Sequence, residues 1–338
     1  MNDENPALEK GWCSLEDGEF EQARVIAERE LSSDPENPEA LLLLGASCRG
    51  LGEPARALEV IEGAAAIADD WGAPEMWMAE ILAQDLDRPV DALEHAARAL
   101  DLAEDEDEFI DAVMLKAGLE IQTGKTRAAR DTLSELPPFE EAQFSTETTL
   151  DLSYLFLEAE ATAEAERRFR AVAEADRDNE EAHYGLGLCA EARGDENAKR
   201  EAWLHVLALD AQSPLDQPHM SEQEMAEVAE RALKELPDKA RRLIENVPIL
   251  IVDLPARDEV EQGLDPRLLG LFTGTAYGDA SLMGAPPHVT QILLFRKNLE
   301  RMALDADDLT QQIRITLLHE TGHFFGMSEE DLAAVGLD

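Results

Sequence analysis

Apolar and polar residues follow a helical period through most of residues 6–210. Residues 39–48 (EALLLLGASC) and 55–64 (ARALEVIEGA) place apolar side chains three or four positions apart, which predicts two amphipathic helices. A glycine-containing segment between them predicts a turn. The prolines within residues 31–38 (LSSDPENP) predict that one helix stops there and the next begins. The pattern therefore predicts successive helical pairs.

These helical pairs recur with a period of about 34 to 37 residues, as self-similarity at one alanine position shows. The corresponding alanines are Ala23, Ala57, Ala92 and Ala129, with a looser fifth copy around Ala165, and residues 194–198 (GDENA) mark a sixth copy. The period, together with small residues such as Gly45 and Ala57, resembles the tetratricopeptide repeat. The resemblance implies an α-helical solenoid of five or six repeats over residues 1–212. Its concave face is expected to bind a protein partner.

A different pattern begins after residue 212. Residues 213–220 (SPLDQPHM) contain two prolines and predict a linker, so residues 221–338 are expected to form a second domain. Ser221 and Glu224 have the spacing of a capping box at the start of a helix. Continuous apolar runs then predict buried strands. These runs occupy residues 247–254, 268–274 and 290–296.

Charge and cysteine content narrow the possible partners and compartments. The formal net charge is −45, and residues 1–217 carry 18 basic and 52 acidic side chains. Such a surface repels nucleic acid and anionic membranes, so neither is an expected partner. The acidic N-terminus lacks an apolar core, and no later segment has the length and apolarity of a membrane span. Three widely spaced cysteines indicate buried thiols in a reducing cytoplasm.

The sequence His319-Glu320-Thr321-Gly322-His323 is an HExxH motif near the end of the chain. Asp305 or Asp307 is expected to cap a helix that continues through the motif. Histidines four residues apart on a helix share one face, so both imidazoles can bind one zinc ion. The carboxylate of Glu320 would then serve as an acid/base for a water molecule activated there. The alternative interpretation is that the two histidines are structural residues, with hydrogen-bond partners in a protein core or at a helix end.

Residues 221–338 as a whole resemble the minimal zincin-like metallopeptidases, in which strands precede a C-terminal HExxH helix. The resemblance rests on residues 247–255, 268–274, 291–296 and 319–332. It implies a small α+β zincin-like domain with His319 and His323 as zinc ligands. It also implies that Glu320 is the catalytic acid/base.

The third zinc ligand is expected after Gly326, where the motif helix should end. Metzincins place this ligand ten residues after the first histidine, and Glu329 occupies that position here. Glu330 and Asp331 are the alternatives. The segment from Ser328 to Asp331 also has the pattern of an N-cap and acidic first turn, so Asp331 could cap while Glu329 binds the metal.

These features predict a zinc-dependent metallopeptidase whose repeats recruit a peptide or protein substrate. An extended peptide is expected to add as a strand beside residues 291–296. Tyr277, His288 and Arg296 are candidate oxyanion stabilisers without a supporting spacing. The alternative function is an adaptor protein whose zincin-like domain binds zinc without activity. A scaffold with a chance HExxH sequence is a third possibility.

Overall fold

The chain forms two compact units, Met1–Val172 and Ala173–Asp338. The computed structural model describes residues 5–139, 144–215, 217–236, 241–242, 244, 247–274, 291–328 and 331. Within these residues, no helix combines the length and apolarity needed to cross a membrane. The predicted linker, residues 213–220, falls inside the second unit.

The first unit is built from paired helices, as the repeat pattern predicts. A short π-helical segment, Ile81–Asp85, extends α5. The helices are α1 (Pro6–Glu16), α2 (Phe20–Ser33), α3 (Pro38–Gly50), α4 (Pro54–Ile67), α5 (Gly72–Glu80), α6 (Pro89–Leu102), α7 (Glu106–Gln122), α8 (Thr126–Leu133), α9 (Thr146–Glu158) and α10 (Thr162–Ala175), the last of which continues past the unit boundary.

Turns inside the helical pairs require a left-handed backbone residue. Glycines supply this conformation with φ between 71 and 76° at Gly18, Gly52, Gly124 and Gly194. In two other repeats Asp87 and Glu160 adopt φ of 52° and 58°. The repeat before Ala165, whose turn does not begin with a glycine, therefore keeps the same turn, although an ordinary side chain is sterically disfavoured there.

Small residues let the two helices of a pair approach closely, as the sequence predicts for Gly45. A Cβ atom added to Gly45 would lie 2.3 Å from Ile61 Cγ1 and 3.2 Å from the carbonyl oxygen of Ala57. The side chain of Ile61 is fully buried in this contact. The close approach of α3 and α4 thus depends on the missing side chain of Gly45.

The second unit joins one further helical pair to an α+β domain. The pair consists of α11 (Glu180–Ala192) and α12 (Glu196–Gln212). The remaining elements are α13 (Glu222–Glu235), β1 (Ile249–Val252), α14 (Arg257–Glu261), β2 (Gly270–Thr273), β3 (Gln291–Phe295), α15 (Arg296–Met302) and α16 (Ala306–Phe324). At α13, Ser221 and Glu224 form the predicted capping box.

The three strands form one sheet in the order β1-β3-β2. β1 is parallel to β3, with Ile249 opposite Ile292, and β2 is antiparallel to β3, with Gly270 opposite Leu294. The predicted addition of a peptide beside residues 291–296 is therefore wrong, because β1 and β2 already occupy both edges of β3. Helices α13 and α16 cover one face of the sheet. Their shared core includes Met225, Val228, Ile292, Leu294, Leu309, Ile313 and Leu317.

Two alanine substitutions with the same chemical change test the close packing of α3 and α4. Gly45→Ala forces a methyl group against Ile61 and should lower the free energy of unfolding by about 1 to 3 kcal/mol. Gly63→Ala, in α4, meets its nearest neighbour at 3.9 Å and should be neutral or stabilising by up to about 1 kcal/mol. Urea unfolding followed by circular dichroism measures both. Equal shifts in the two variants would contradict the packing account.

Candidate metal centre

Helix α16 carries the HExxH motif and has well-defined ends. Asp305 caps its start, since the carboxylate accepts hydrogen bonds from the amides of Asp307 and Asp308. The helix stops after Phe324, and Gly326 follows with a φ of 79°. The amide of Met327 then donates to the carbonyl of Gly322 at 3.0 Å, which closes the last turn. Both predicted ends are confirmed.

The structure brings His319 and His323 together on one face of α16. Their Nε2 atoms lie 3.0 Å apart, and both side chains are partly buried. Nδ1 of His323 lies 3.3 Å from the carbonyl oxygen of Met327. Donation from Nδ1 to this carbonyl places the lone pair of His323 on Nε2, the atom that faces His319.

This arrangement fits a zinc ion. Two imidazole nitrogens bound to one tetrahedral zinc at about 2.0–2.1 Å lie roughly 3.3 Å apart, close to the separation of the two Nε2 atoms. Within the described part of the chain, no third histidine, cysteine or acidic residue completes a cluster with them. The predicted ligand Glu329 and its alternative Glu330 lie outside the described residues.

Asp331, the other alternative ligand, makes a capping contact. Its Oδ2 accepts hydrogen bonds from the amide and hydroxyl of Ser328 at 3.0 and 2.8 Å, and its own amide donates to the Ser328 hydroxyl at 3.2 Å. The bonds from Ser328 hold the pKa of the Asp331 carboxyl below its usual value. The predicted capping role of Asp331 is confirmed.

Glu320 lies against the sheet rather than in open solvent. Its side chain is 6% exposed, and its Oε2 accepts a hydrogen bond from the backbone amide of Phe272 at 2.6 Å. Phe272 belongs to β2, an outer strand of the sheet. The contact therefore fixes a carboxylate of the motif to the backbone of an edge strand.

A glycine permits β2 to pass this close to α16. A Cβ atom on Gly270 would lie 2.6 Å from Thr316 Cγ2 and 3.1 Å from Glu320 Cγ. Neither Gly270 nor Phe272 was identified from the sequence as part of the site. The glycine inside the apolar run of residues 268–274 was the available signal, because glycine within a strand often marks close backbone approach.

Arg296, a candidate oxyanion stabiliser, pairs with Asp253 instead. Its Nε and Nη2 atoms donate to Asp253 Oδ1 at 2.8 and 2.6 Å. Tyr277 and His288, the other two candidates, lie outside the described residues. The described residues thus bring together His319, His323 and Glu320.

Comparisons with known families match both parts of the chain. Residues 244–337 match the zincin-like metallopeptidase family, and residues 14–81 match the tetratricopeptide repeat. No curated protein matches the chain significantly.

Solved structures of repeat proteins resemble it in fold. PilF of Pseudomonas aeruginosa is 18% identical, with 62% of this chain and 92% of that chain covered and a TM-score of 0.49. PilW, described as a type IV pilus biogenesis factor, is 19% identical, with 63% and 96% covered and a TM-score of 0.50.

A third structure, the C-terminal part of a repeat protein from Cytophaga hutchinsonii, is 11% identical. The match covers 71% of this chain and 89% of that chain, with a TM-score of 0.49. At 19% identity and a TM-score of 0.50, the likeness to PilW concerns the fold alone. Helical pairs thus occur where residues 14–81 match the tetratricopeptide repeat, and the sheet packed on α16 occurs where residues 244–337 match the zincin-like metallopeptidase family.

Proposed function

We propose that this protein is a zinc-dependent metallopeptidase that hydrolyses peptide bonds and recruits its substrate through the repeats. The observation that carries the proposal is the pair of Nε2 atoms of His319 and His323, 3.0 Å apart on α16. Glu320, the next residue after the first histidine, supplies a buried carboxylate. A pair of imidazoles with an adjacent carboxylate is the donor set that a catalytic zinc site needs.

In this mechanism His319 and His323 would hold zinc through Nε2, with Glu329 as the proposed third ligand. Bound zinc supplies a Lewis acid that activates water and polarises the scissile carbonyl. Glu320 accepts the proton from the water and returns it to the leaving amine. The hydrogen bond from the Phe272 amide orients the Glu320 carboxylate for both transfers.

The substrate chain is proposed to lie along the outer edge of β2, Gly270–Thr273. β2 is an edge strand of the described sheet and contacts the motif helix through Gly270. The Phe272 amide on this edge is already bonded to Glu320, so an extended peptide would pair with the other backbone groups of the edge. This position replaces the one expected beside residues 291–296.

An adaptor with an inactive zinc-binding domain is the alternative function. A structural zinc site is usually closed by four protein ligands and needs no base. The buried Glu320 beside the histidine pair therefore favours the peptidase.

We also propose a cytoplasmic location, because Cys48 and Cys189 are buried in different helical pairs, as expected for structural thiols in a reducing compartment.

A cavity in the first unit supports recruitment of basic segments. It has a volume of about 250 Å³, and its wall combines Met76 and Trp77 with the carboxylates of Glu80, Glu108 and Asp111. Burial, and then the nearby charges of Asp107, Glu80 and Asp105, raise the pKa of Asp111. Among the ion pairs of the described residues, none neutralises Asp111.

Arg49 shows how a guanidinium group is held beside this cavity. Its Nη1 lies 2.6 Å from Glu80, and its Cζ lies 5.6 Å from the ring centroid of Trp77. Carboxylate and aromatic groups together favour a cation with an apolar stem. An arginine or lysine of the recruited protein is therefore the proposed occupant of the cavity.

Glu320→Gln separates zinc binding from catalysis. The amide keeps the size of the side chain but removes the base, so the variant should bind one zinc per chain and lose hydrolysis of unstructured peptides. Elemental analysis and a peptide-library cleavage assay measure the two properties. His319→Ala is the control that should lose both. Undiminished cleavage by Glu320→Gln would remove Glu320 from the mechanism.

Three substitutions after Gly326 identify the third ligand. Glu329→Gln should weaken zinc binding by at least about tenfold. Loss of a residue that only hydrogen-bonds to a metal ligand typically weakens metal binding by about tenfold to hundredfold, so loss of a ligand should cost no less. Glu330→Gln and Asp331→Asn remove the same charge and should leave the zinc affinity within about twofold of the wild type. Competition with a fluorescent chelator measures all three. The assignment of Glu329 is wrong if Glu330→Gln or Asp331→Asn shows the larger loss.

Asp111→Asn tests recruitment of basic segments. A fluorescein-labelled peptide with one arginine between leucines should bind the variant about twofold to fivefold more weakly, as expected for a partly exposed ion pair. Asp101→Asn, an exposed position in the last turn of α6, removes the same charge outside the cavity and should have no effect. Fluorescence anisotropy measures both. Equal weakening in both variants, or equal binding of a citrulline peptide, would contradict a specific cavity.

A further inference from the structure

Within the second unit, α15 forms hydrogen bonds with the C-terminal end of α12, and we call this contact region the junction. The Nζ atom of Lys297 donates to the carbonyl oxygens of Asp210 and Ser213 at 2.9 and 2.6 Å. These carbonyls lie at the C-terminus of α12, where a cation is favoured by the helix dipole and by unpaired carbonyl groups. On the same helix, Glu300 accepts hydrogen bonds from the amides of His219 and Met220. Helix α15 therefore holds both α12 and the segment that follows it.

The side chain of Asp210 completes this junction. Asp210 is 0% exposed, and its Oδ1 accepts a 2.5 Å hydrogen bond from Nη2 of Arg301 on α15. Its Oδ2 lies 3.8 Å from Nε of Arg267. Burial raises the pKa of the Asp210 carboxyl, and the two guanidinium groups counteract that rise. A buried charge of this kind is tolerated because partners surround it, so removing it leaves the guanidinium groups unbalanced.

The same junction extends to the segment that leads into β2. Asn298 of α15 is 3% exposed, and its Nδ2 donates to the carbonyls of Pro266 and Leu268 at 2.9 and 2.8 Å. Arg267, between these two residues, also pairs with Glu181 of α11 at 2.6 Å. The residues before β2 are thus held from α15 on one side and from the α11–α12 pair on the other.

A neighbouring hydrogen bond strengthens this attachment. The Tyr184 hydroxyl of α11 donates to Asp265 at 2.8 Å. Apolar contacts lie beside it, since Trp203 and Leu207 of α12 pack in one cluster with Val260 of α14. The helical pair is consequently part of the frame that positions β2.

β2 in turn holds the motif glutamate. Phe272, four residues after Leu268, donates its amide to Glu320 at 2.6 Å. A continuous set of contacts therefore connects Asp210, α15, the β2 entry and the carboxylate of Glu320. The series includes three buried side chains, those of Asp210, Asn298 and Glu320, whose hydrogen-bond geometry is less free to vary than that of exposed groups.

We propose that Asp210 is a positioning residue: through Arg301, Arg267 and α15 it sets β2, and β2 sets the Glu320 carboxylate. The last helical pair is then a working part of the metallopeptidase unit. A substitution at Asp210 changes the efficiency of Glu320 without touching the metal site. The kinetic part rests on the proposed peptidase function, whereas the effect on β2 does not.

Asp210→Asn in the full chain tests the proposal through the Phe272 amide. Loss of the carboxylate should speed hydrogen exchange of this amide by about twofold to thirtyfold, the range typical of coupling between linked sites. With peptide substrate, kcat should fall by a similar factor, while zinc content and KM stay at wild-type values. NMR-detected exchange measures the first effect and steady-state kinetics the second.

Asp195→Asn is the matched control. Asp195 caps the other end of α12, and asparagine caps equally well, so the same charge change should leave Phe272 exchange and kcat unaltered. Should Asp210→Asn not fold, Arg301→Lys is tested instead. It keeps the charge but loses the paired contact of Nη1 and Nη2 of Arg301 with the two Asp210 oxygens, and its Phe272 exchange is compared with that of Asp195→Asn.

The outcomes separate the two proposals. Phe272 exchange could be faster in Asp210→Asn while neither the variant nor the wild type cleaves peptides. That result would support the positioning role and reject the proposed function. Phe272 exchange equal to that of Asp195→Asn in a folded Asp210 or Arg301 variant would overturn the positioning role. A rise in KM with unchanged kcat would also overturn it, because Asp210 would then act on substrate binding.

Discussion

The hydrogen bond between the Phe272 amide and Glu320 is the contact on which the rest of the site depends. A carboxylate that is almost fully buried must be bonded, since an unpaired buried charge is costly. Meeting that requirement brings α16 against β2, and the close approach is possible because Gly270 has no side chain. The same packing fixes the rotation of α16 and so the face on which His319 and His323 lie. The placement of the histidine pair is therefore a consequence of how the motif helix packs on the sheet.

The arrangement also explains why the second unit includes a helical pair. Among the residues that the structure describes, three short strands form a small sheet, and β2 has a partner strand on only one side. Asp210, Asn298 and the guanidinium groups around them hold the segment that enters β2. The helices of the last pair thus support the segment that enters this edge strand. Such support limits the orientations that the Glu320 carboxylate can adopt.

Much of the architecture could be predicted from the sequence because it is encoded locally. The repeat period, the cap at Asp305, the capping box at Ser221 and the helix end at Gly326 each depend on residues a few positions apart. Strand order is not encoded locally, because the pairing of β3 with its two neighbours depends on packing between distant segments. The peptide edge was accordingly assigned to the wrong strand.

The contacts of Glu320 and Asp210 could not be predicted from the sequence, because they too join residues that are far apart in the chain. The group that binds Glu320 is a backbone amide, which every residue except proline possesses, so the sequence gives no sign that Phe272 is involved. Asp210 likewise appears as one acidic residue among many until the fold places two arginines around it. Glu160 shows the opposite case, since the repeat fold imposes a left-handed turn that its own sequence does not favour.

The central claim is that the histidine pair on α16 is a catalytic zinc site. X-ray absorption at the zinc K-edge of the purified full-length protein tests it most directly. The account predicts two imidazole nitrogens and further oxygen ligands at about 2.0–2.1 Å, with the imidazole signal lost in a variant that lacks both histidines. A sulfur shell near about 2.3 Å, or a zinc spectrum unchanged in that variant, would contradict it.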